Sequence, residues 1–356
     1  MKIAQLVHTL AYGDAISSEA ISITKLLGSN CKIYCLNAHP RVKEYANEVD
    51  VDGIATADVV LMHYSIGSPL NKIYQELKNS RRILLYHNLT PVKWFESYNY
   101  RVATDLSQGL SELPGLLAAS DLILADSTFN KEELLKMGCK KEVQVFPLLF
   151  ERSKWSIDAN PGIAQVLSTN DCVNFLSVGR LAPNKCVEDI IKIFYFYHYK
   201  INKKSALWII GHEIDTEIYA FELKNLAINL RLSEKINFVG SVADTELKAF
   251  YQNSDAYICM SEHEGFCVPV IEAMSLGLPV LAYGSSALPE TLGDGGVLVD
   301  HKRHAEIAEI LNILATDSEL KKDLISRASK QAEKFSEENF SKSLTSILAS
   351  IIACPK

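Results

Sequence analysis

Short apolar runs recur along this chain, with stretches of helical spacing between them. In the first half the runs are Ile3–Val7, Lys32–Leu36, Val59–His63, Ile83–Tyr86, Leu122–Ala125 and Val143–Phe146. Helix-period segments at Ile16–Leu27, Leu70–Lys78 and Lys131–Met137 separate several of them. Ser127 or Thr128 is placed to cap the last of these helices, and Gly138 to stop it. Strands alternating with helices predict βαβ units and a parallel sheet. From Glu151 to Asn170 the periodicity fails, and ERSKWSIDANPGIAQVLSTN has the composition of an interdomain linker. A second series then begins, with strands at Asn174–Val178, Leu207–Ile210, Ile236–Val239, Ala256–Met260, Val280–Ala282 and Val297–Val299. Its helices include Val187–Tyr199, Thr216–Leu230 and Asp244–Gln252, and beyond Asp317 the pattern is helical through Glu337–Ile352. The pattern predicts an α/β protein with two doubly wound domains, and no short-period repeat suggests a solenoid.

The stretch Ser261–Pro279, SEHEGFCVPVIEAMSLGLP, organises the second half. It follows the apolar run Ala256–Met260, which reads as a buried parallel strand. Gly277 and Pro279 are the usual helix stop, so Cys267–Leu276 is predicted as a short helix. Its N-terminus points out of the carboxyl end of a strand, where open α/β sheets bind ligands and bare N–H groups suit a phosphate. Glu264 and Glu272 bracket that position. A carboxylate beside a diphosphate is repelled, so Glu272 is assigned to ribose hydroxyls and Glu264 to a sugar.

Glu-x7-Glu within EGFCVPVIEAM, followed by GLPV, resembles the signature of glycosyltransferase family 4, the retaining enzymes of GT-B fold; its common form has Gly where this chain has Cys267. The resemblance is specific across Val173–Asp300 and looser in the first half. It implies two Rossmann-like domains facing a central cleft, here 1–155 and 156–335, with a last helix (about 336–356) crossing back to the first. It also implies transfer of a hexose, with retention, from a nucleotide-diphosphate sugar to a hydroxyl of a glycan or lipid-linked glycan in polysaccharide biosynthesis. A UDP-sugar is the preferred donor, from family frequency.

In FLSVGRLAPNKCVEDII, GR-x4-K resembles the family's diphosphate-binding pair. Negative charge grows on the leaving diphosphate, and two cations there bind the transition state more tightly than the ground state. Arg180 offers a fork for two oxygens and Lys185 a point charge, while Gly179 leaves room for the ligand. Taken alone, the cations fit a solvated strand end, and the acids fit dipole compensation. Their joint occurrence makes a site. By the resemblance, the N–H groups of Gly265, Phe266 and Cys267 meet sugar hydroxyls and those near Val268 the phosphate. ILLYHNLTP is similar to the YHN-(I/L)-TP form seen in part of the family, which implies that His87 reaches the transferred sugar, with His63 a second candidate. Gly13 lies in the first βα turn, where the resemblance implies a glycine-containing loop between acceptor and donor; Asp14 either lines the acceptor pocket or caps the following helix. His8, His212 and His263 are structural by expectation, although Gly211 and His212 end a strand on the nucleotide side. Lys93, Trp94, Phe95, Tyr98 and Tyr100 either grip an acceptor or membrane surface or pack into the core.

Composition narrows the remaining choices. At 48% hydrophobic and 22% charged residues, the 356-residue chain is globular, and its net charge of −7 argues against a nucleic-acid role. No apolar run reaches the ~20 residues that span a bilayer, and MKIAQLVHTL is too mixed for a signal peptide. The cysteines at 31, 35, 139, 172, 186, 259, 267 and 354 form no C-x2-C pair, which argues against disulfide or metal frameworks and for a reduced, cytoplasmic protein. Peripheral contact with the inner face of a membrane stays open. With Arg180, Lys185 and the helix terminus to neutralise phosphates, neither a metal nor a cofactor is expected. Alternative functions are a nucleotide-sugar epimerase, a phosphorylase with a similar two-domain cleft, or a non-catalytic nucleotide-sugar binder. A nicotinamide dehydrogenase is disfavoured, because no G-x-G-x-x-G follows the first strand.

Overall fold

Parallel strands must be covered on both faces, which is why they read as continuous apolar runs. The computed structural model, which describes residues 1–353, places those runs in two sheets belonging to two separate units. Cys354 and the end of the predicted last helix lie outside the described residues. The first unit contains β1 (Ile3–Leu10), β2 (Cys31–Ala38), β3 (Ala46–Asn47), β4 (Val59–Tyr64), β5 (Arg81–Tyr86), β6 (Leu122–Ala125) and β7 (Val143–Val145). These form a seven-stranded sheet in the order β3-β2-β1-β4-β5-β6-β7, parallel throughout.

The second unit contains β8 (Val173–Val178), β9 (Ser205–Ile210), β10 (Ile236–Gly240), β11 (Ala256–Cys259), β12 (Val280–Tyr283) and β13 (Val297–Val299). Its six-stranded sheet has the order β10-β9-β8-β11-β12-β13 and is also parallel. Strand order therefore reverses between β1 and β4 in one sheet and between β8 and β11 in the other.

The presumed linker is folded. Pro161–Thr169 is a helix capped by Asn160, whose Oδ1 accepts from Gly162 N at 2.9 Å and Ile163 N at 3.1 Å. Lys248 Nζ then holds the preceding segment, donating to the carbonyls of Trp155 at 2.9 Å and Ile157 at 2.6 Å. Asn-Pro-Gly has the composition of a turn, but here it is a helix cap with proline in the first turn. The chain passes to the second unit at Phe150, so this segment belongs wholly to that unit. A helix at Tyr100–Ala119 also escaped the sequence pattern, because it contains Gly109, Pro114 and Gly115. Gly109 is required by close packing: a Cβ there would lie 2.8 Å from Gly67 N.

After Ser336 the chain returns to the first unit as the helix Glu337–Ala353. Phe340, Leu344, Ile347, Leu348 and Ile351 form its buried stripe, set against the strand residues Val59, Leu61 and Ile83 and against Phe146 just past β7. The Phe340 ring lies 4.7 Å from that of Phe146. Phe340→Ala is expected to destabilise the first unit by about 3–5 kcal/mol. Chemical unfolding followed by a probe in that unit measures this, and a loss below about 1 kcal/mol would show that the helix is not part of its core.

Candidate active site

At the switch between β8 and β11 the connections leave in opposite directions, so a crevice opens at the strands' carboxyl ends. A pocket there is lined by Gly179, Arg180, Lys185, Cys259, Glu264 and Cys267. Residues from the two predicted motifs thus meet within one unit. Lys185 ends a short 3-10 turn, Pro183–Lys185, just ahead of the helix Val187–Phe196. Its Nζ lies 2.6 Å from Glu264 Oε1. Burial works against the charge on Lys185, but Glu264 outweighs it, so the ammonium is held above its ordinary range.

The loop from Ser261 to Cys267 is pinned largely through its carbonyl groups. Ser285 Oγ donates to Ser261 O at 2.6 Å, Asn184 Nδ2 to His263 O at 2.8 Å and Thr291 Oγ1 to Phe266 O at 2.6 Å. Glu264 N donates to Ser286 Oγ at 2.8 Å, and Glu262 N to Asn184 O at 2.9 Å. Asn184, Ser285, Ser286 and Thr291 carry no motif, and nothing in the sequence marked them.

Cys267 precedes the helix Val268–Ser275 with φ +76°. That is left-handed backbone, which glycine adopts without penalty and a side chain resists. The common Gly at this position is thereby explained, and so is the strain of having Cys. Its thiol hydrogen-bonds that of Cys259, which lowers the pKa of Cys259 and raises that of Cys267. At the other end of the helix Gly277 has φ +75°, in keeping with its predicted role as the stop.

Glu272 is buried, and its Oε2 accepts from Tyr251 OH at 2.9 Å while Oε1 lies 4.0 Å from Lys154 Nζ. Burial raises its pKa, partly offset by Lys154 and by the Tyr251 hydrogen bond. Tyr251 in turn packs edge-on against Trp155 at 5.7 Å. Lys154 and Trp155 come from the segment taken for a linker, so the surroundings of Glu272 were invisible in the motif. Next to Arg180, Gly179 and Gly211 have φ of +146° and +150°. A Cβ on Gly211 would lie 1.9 Å from the carbonyl oxygen of Gly179. His212 and His263 contribute backbone carbonyls, accepting from Leu181 N at 2.9 Å and Asn184 Nδ2 at 2.8 Å respectively.

In the first unit His87 is enclosed. Its side chain is 1% exposed, with Nδ1 3.0 Å from Asp126 Oδ2 and Nε2 2.9 Å from His63 Nδ1. Both ring nitrogens are thus engaged by side chains of the first unit. Burial opposes its charge, but Asp126 and Glu19 outweigh that and hold its pKa up at about 9. Burial keeps His63 well below its ordinary value and pushes Glu19 up to about 8. Gln5, Glu19 and Asp126 were missed, although a polar residue inside an apolar run, such as Gln5 in IAQLV, was the available signal.

Asp14 takes the capping alternative: its Oδ2 accepts from both Ser17 N and Ser17 Oγ at 2.8 Å. Gly13 beside it has φ +78°. His8 pairs with Ser68 Oγ at 3.0 Å. The aromatic loop divides. Phe95 is buried, Lys93 lies over Trp94 at 5.3 Å, Tyr98 packs on Tyr219 at 5.4 Å, and Tyr100 is 83% exposed.

Residues 164–331 match the family model of group 1 glycosyl transferases. The O-antigen chain mannosyltransferase B of Escherichia coli is 28% identical over 63% of this chain and 59% of its own length. The O-antigen chain mannosyltransferase RfbU of Salmonella typhimurium is 31% identical over 35% of this chain and 34% of its own. The match thus spans less than two thirds of either relative. Among solved structures, Anabaena HepE in complex with UDP and glucose is similar over 98% of this chain and 100% of its own, with a TM-score of 0.81 at 17% identity. A glycosyltransferase from Rickettsia africae aligns over 99% of both chains with a TM-score of 0.75 at 19% identity. These likenesses establish the fold, two parallel-sheet Rossmann-like units of GT-B type.

Gly211→Ala forces its Cβ into a backbone carbonyl and is expected to cost about 1–3 kcal/mol. Thermal denaturation reads this as a fall of several degrees; a melting temperature within one degree of wild type would contradict the close approach of the Gly179 and Gly211 backbones.

Proposed function

We propose that this chain is a retaining glycosyltransferase that moves a hexose from a nucleoside-diphosphate sugar, UDP being the preferred base, to a hydroxyl of a glycan or lipid-linked glycan. The observation that carries this is the Lys185–Glu264 pair, 2.6 Å apart in a pocket at the switch point of the group 1 domain. Relatives named as O-antigen mannosyltransferases make mannose the first sugar to test.

In the proposed reaction the bond between the sugar's anomeric carbon and the diphosphate oxygen breaks, and the acceptor oxygen takes its place on the same face. The acceptor proton passes to the leaving phosphate oxygen. Arg180 and Lys185 stabilise the charge that grows on the diphosphate, and they are charged before the reaction begins, so little reorganisation is needed. Glu264, neutralised by Lys185, is a poor nucleophile, which favours this single same-face step over a covalent intermediate. It instead accepts from a sugar hydroxyl, beside the N–H groups of Gly265, Phe266 and Cys267, with that of Val268 toward the phosphate. Glu272 takes the ribose, exchanging the Tyr251 bond for a hydroxyl. No helix among the described residues is long and apolar enough to cross a membrane. For a lipid-linked acceptor, the exposed Tyr100 with Lys93 is the proposed peripheral contact.

Nucleotide release from donor sugars, with and without glycan acceptor, tests the proposal. Lys185→Ala should lower turnover about 10²–10³-fold with nucleotide affinity reduced less. Glu272→Ala should weaken nucleotide binding about tenfold or more. Equal turnover in the folded Lys185 variant removes it from the mechanism. Donor bound without release, or epimerised without transfer, favours the binder or epimerase instead.

A further inference from the structure

Five side chains of the first unit converge in its interior: Gln5 on β1, Glu19 on the helix Ala15–Leu27, His63 on β4, His87 just past β5 and Asp126 just past β6. Their hydrogen bonds are fixed from the outside inward. Gln5 Nε2 donates to Ala20 O at 2.9 Å, which orients the amide so that Oε1 faces His63 Nε2 at 2.8 Å. An amide oxygen only accepts, so His63 Nε2 carries a proton. Asp126 Oδ2, at 3.0 Å, likewise requires a proton on His87 Nδ1. The inner nitrogens, His63 Nδ1 and His87 Nε2, then face each other at 2.9 Å. That distance is met either by a proton on His87 Nε2 donated to His63 Nδ1 or by a metal ion held between two lone pairs.

Glu19 completes the triangle, with Oε2 3.6 Å from His63 Nδ1 and 3.5 Å from His87 Nε2. Neither of its carboxylate oxygens has a hydrogen-bond partner, and the three side chains are 0–1% exposed. A carboxylate buried without hydrogen bonds needs a cation or a proton of its own.

We propose that His63 Nδ1, His87 Nε2 and the carboxylate of Glu19 form a buried zinc site, with Asp126 and Gln5 as the outer groups that hold each imidazole in its ligating tautomer. Tetrahedral zinc with bonds of about 2.0–2.1 Å sets its ligand atoms about 3.4 Å apart. The three separations, 2.9, 3.5 and 3.6 Å, straddle that value. Two of them exceed the roughly 3.0 Å edges of an octahedron with the same bond lengths. The second Glu19 oxygen supplies a fourth contact. A divalent ion with two neutral imidazoles also balances the charges of Glu19 and Asp126. Outer carboxylate and amide partners are what zinc-bound histidines ordinarily have. Closed by protein on every side, the site is structural, tying the first helix to β4 and β5. The inference does not rest on the proposed transferase activity.

The full chain, produced with zinc and purified without chelator, is assayed for bound metal and then loaded with cobalt. One zinc per chain is expected. The cobalt form should show the strong visible bands of four-coordinate nitrogen and oxygen ligation, with no thiolate charge-transfer band. Glu19→Gln and His63→Gln should lose the metal, and Asp126→Asn should weaken its affinity about 10–100-fold while leaving the ligands in place. Should the ligand variants fail to fold, the Asp126 variant and the cobalt spectrum still decide. A folded wild-type protein that takes up no metal overturns the proposal and leaves a metal-free chain with Glu19 protonated. A thiolate band, which moves the ion to cysteines such as Cys259 and Cys267, overturns it as well, as does full retention of metal by Glu19→Gln.

Discussion

The ion pair between Lys185 and Glu264 is the interaction on which the second unit's pocket depends. It ties the loop that leaves β8 to the loop that follows β11, the two strands at which the sheet reverses direction. With side chains only 23% and 10% exposed, neither charge has water enough to stand alone. Removing either partner leaves a poorly solvated charge, a loss of about 3–5 kcal/mol where such pairs are fully buried and less here. Glu264 keeps the ammonium protonated against its burial, so the charge is in place before any anion arrives.

Backbone strain collects on either side of that pair. Cys186, immediately after Lys185, has φ +48°, and Cys267, three residues after Glu264, has φ +76°. Each left-handed non-glycine residue costs roughly 1–2 kcal/mol. The strain persists because the surrounding loop is over-determined by bonds from Asn184, Ser286 and Thr291. At the end of β9 the Gly211 backbone sits too close to Gly179 for any side chain. The loop around the pocket is thus fixed through its carbonyls and neighbouring hydroxyl groups.

Strands were the most legible part of the chain, since cover on both faces turns each into an apolar run; β11 is buried at every position. Their ends were less so, as with β1, which continues from Val7 to Leu10. The helices that escaped did so for local reasons: Asn160-Pro161-Gly162 imitates a turn, and Gly109 and Pro114 interrupt an otherwise helical pattern. Arg180, Lys185 and Glu264 line one pocket, and each stood out in the sequence because its motif lies within one short segment; Glu272 is not among the lining residues. Tyr251 and Lys154 reach Glu272 from distant segments and left no trace in the motif. His87 shows the limit most clearly. Its neighbours in sequence suggested an open site, whereas its environment is set by Glu19, His63 and Asp126, each from another element.

The central claim, that the pocket at β8 and β11 holds a nucleoside diphosphate, is tested most directly by thermal denaturation of the full chain with UDP, GDP, ADP, TDP and NAD in turn. A ligand at one hundred times its dissociation constant adds about 2.7 kcal/mol, a rise of a few degrees for a chain of this size. The account predicts a rise with one nucleoside diphosphate and none with NAD. A folded protein whose melting temperature moves with none of the diphosphates, or only with NAD, would contradict it.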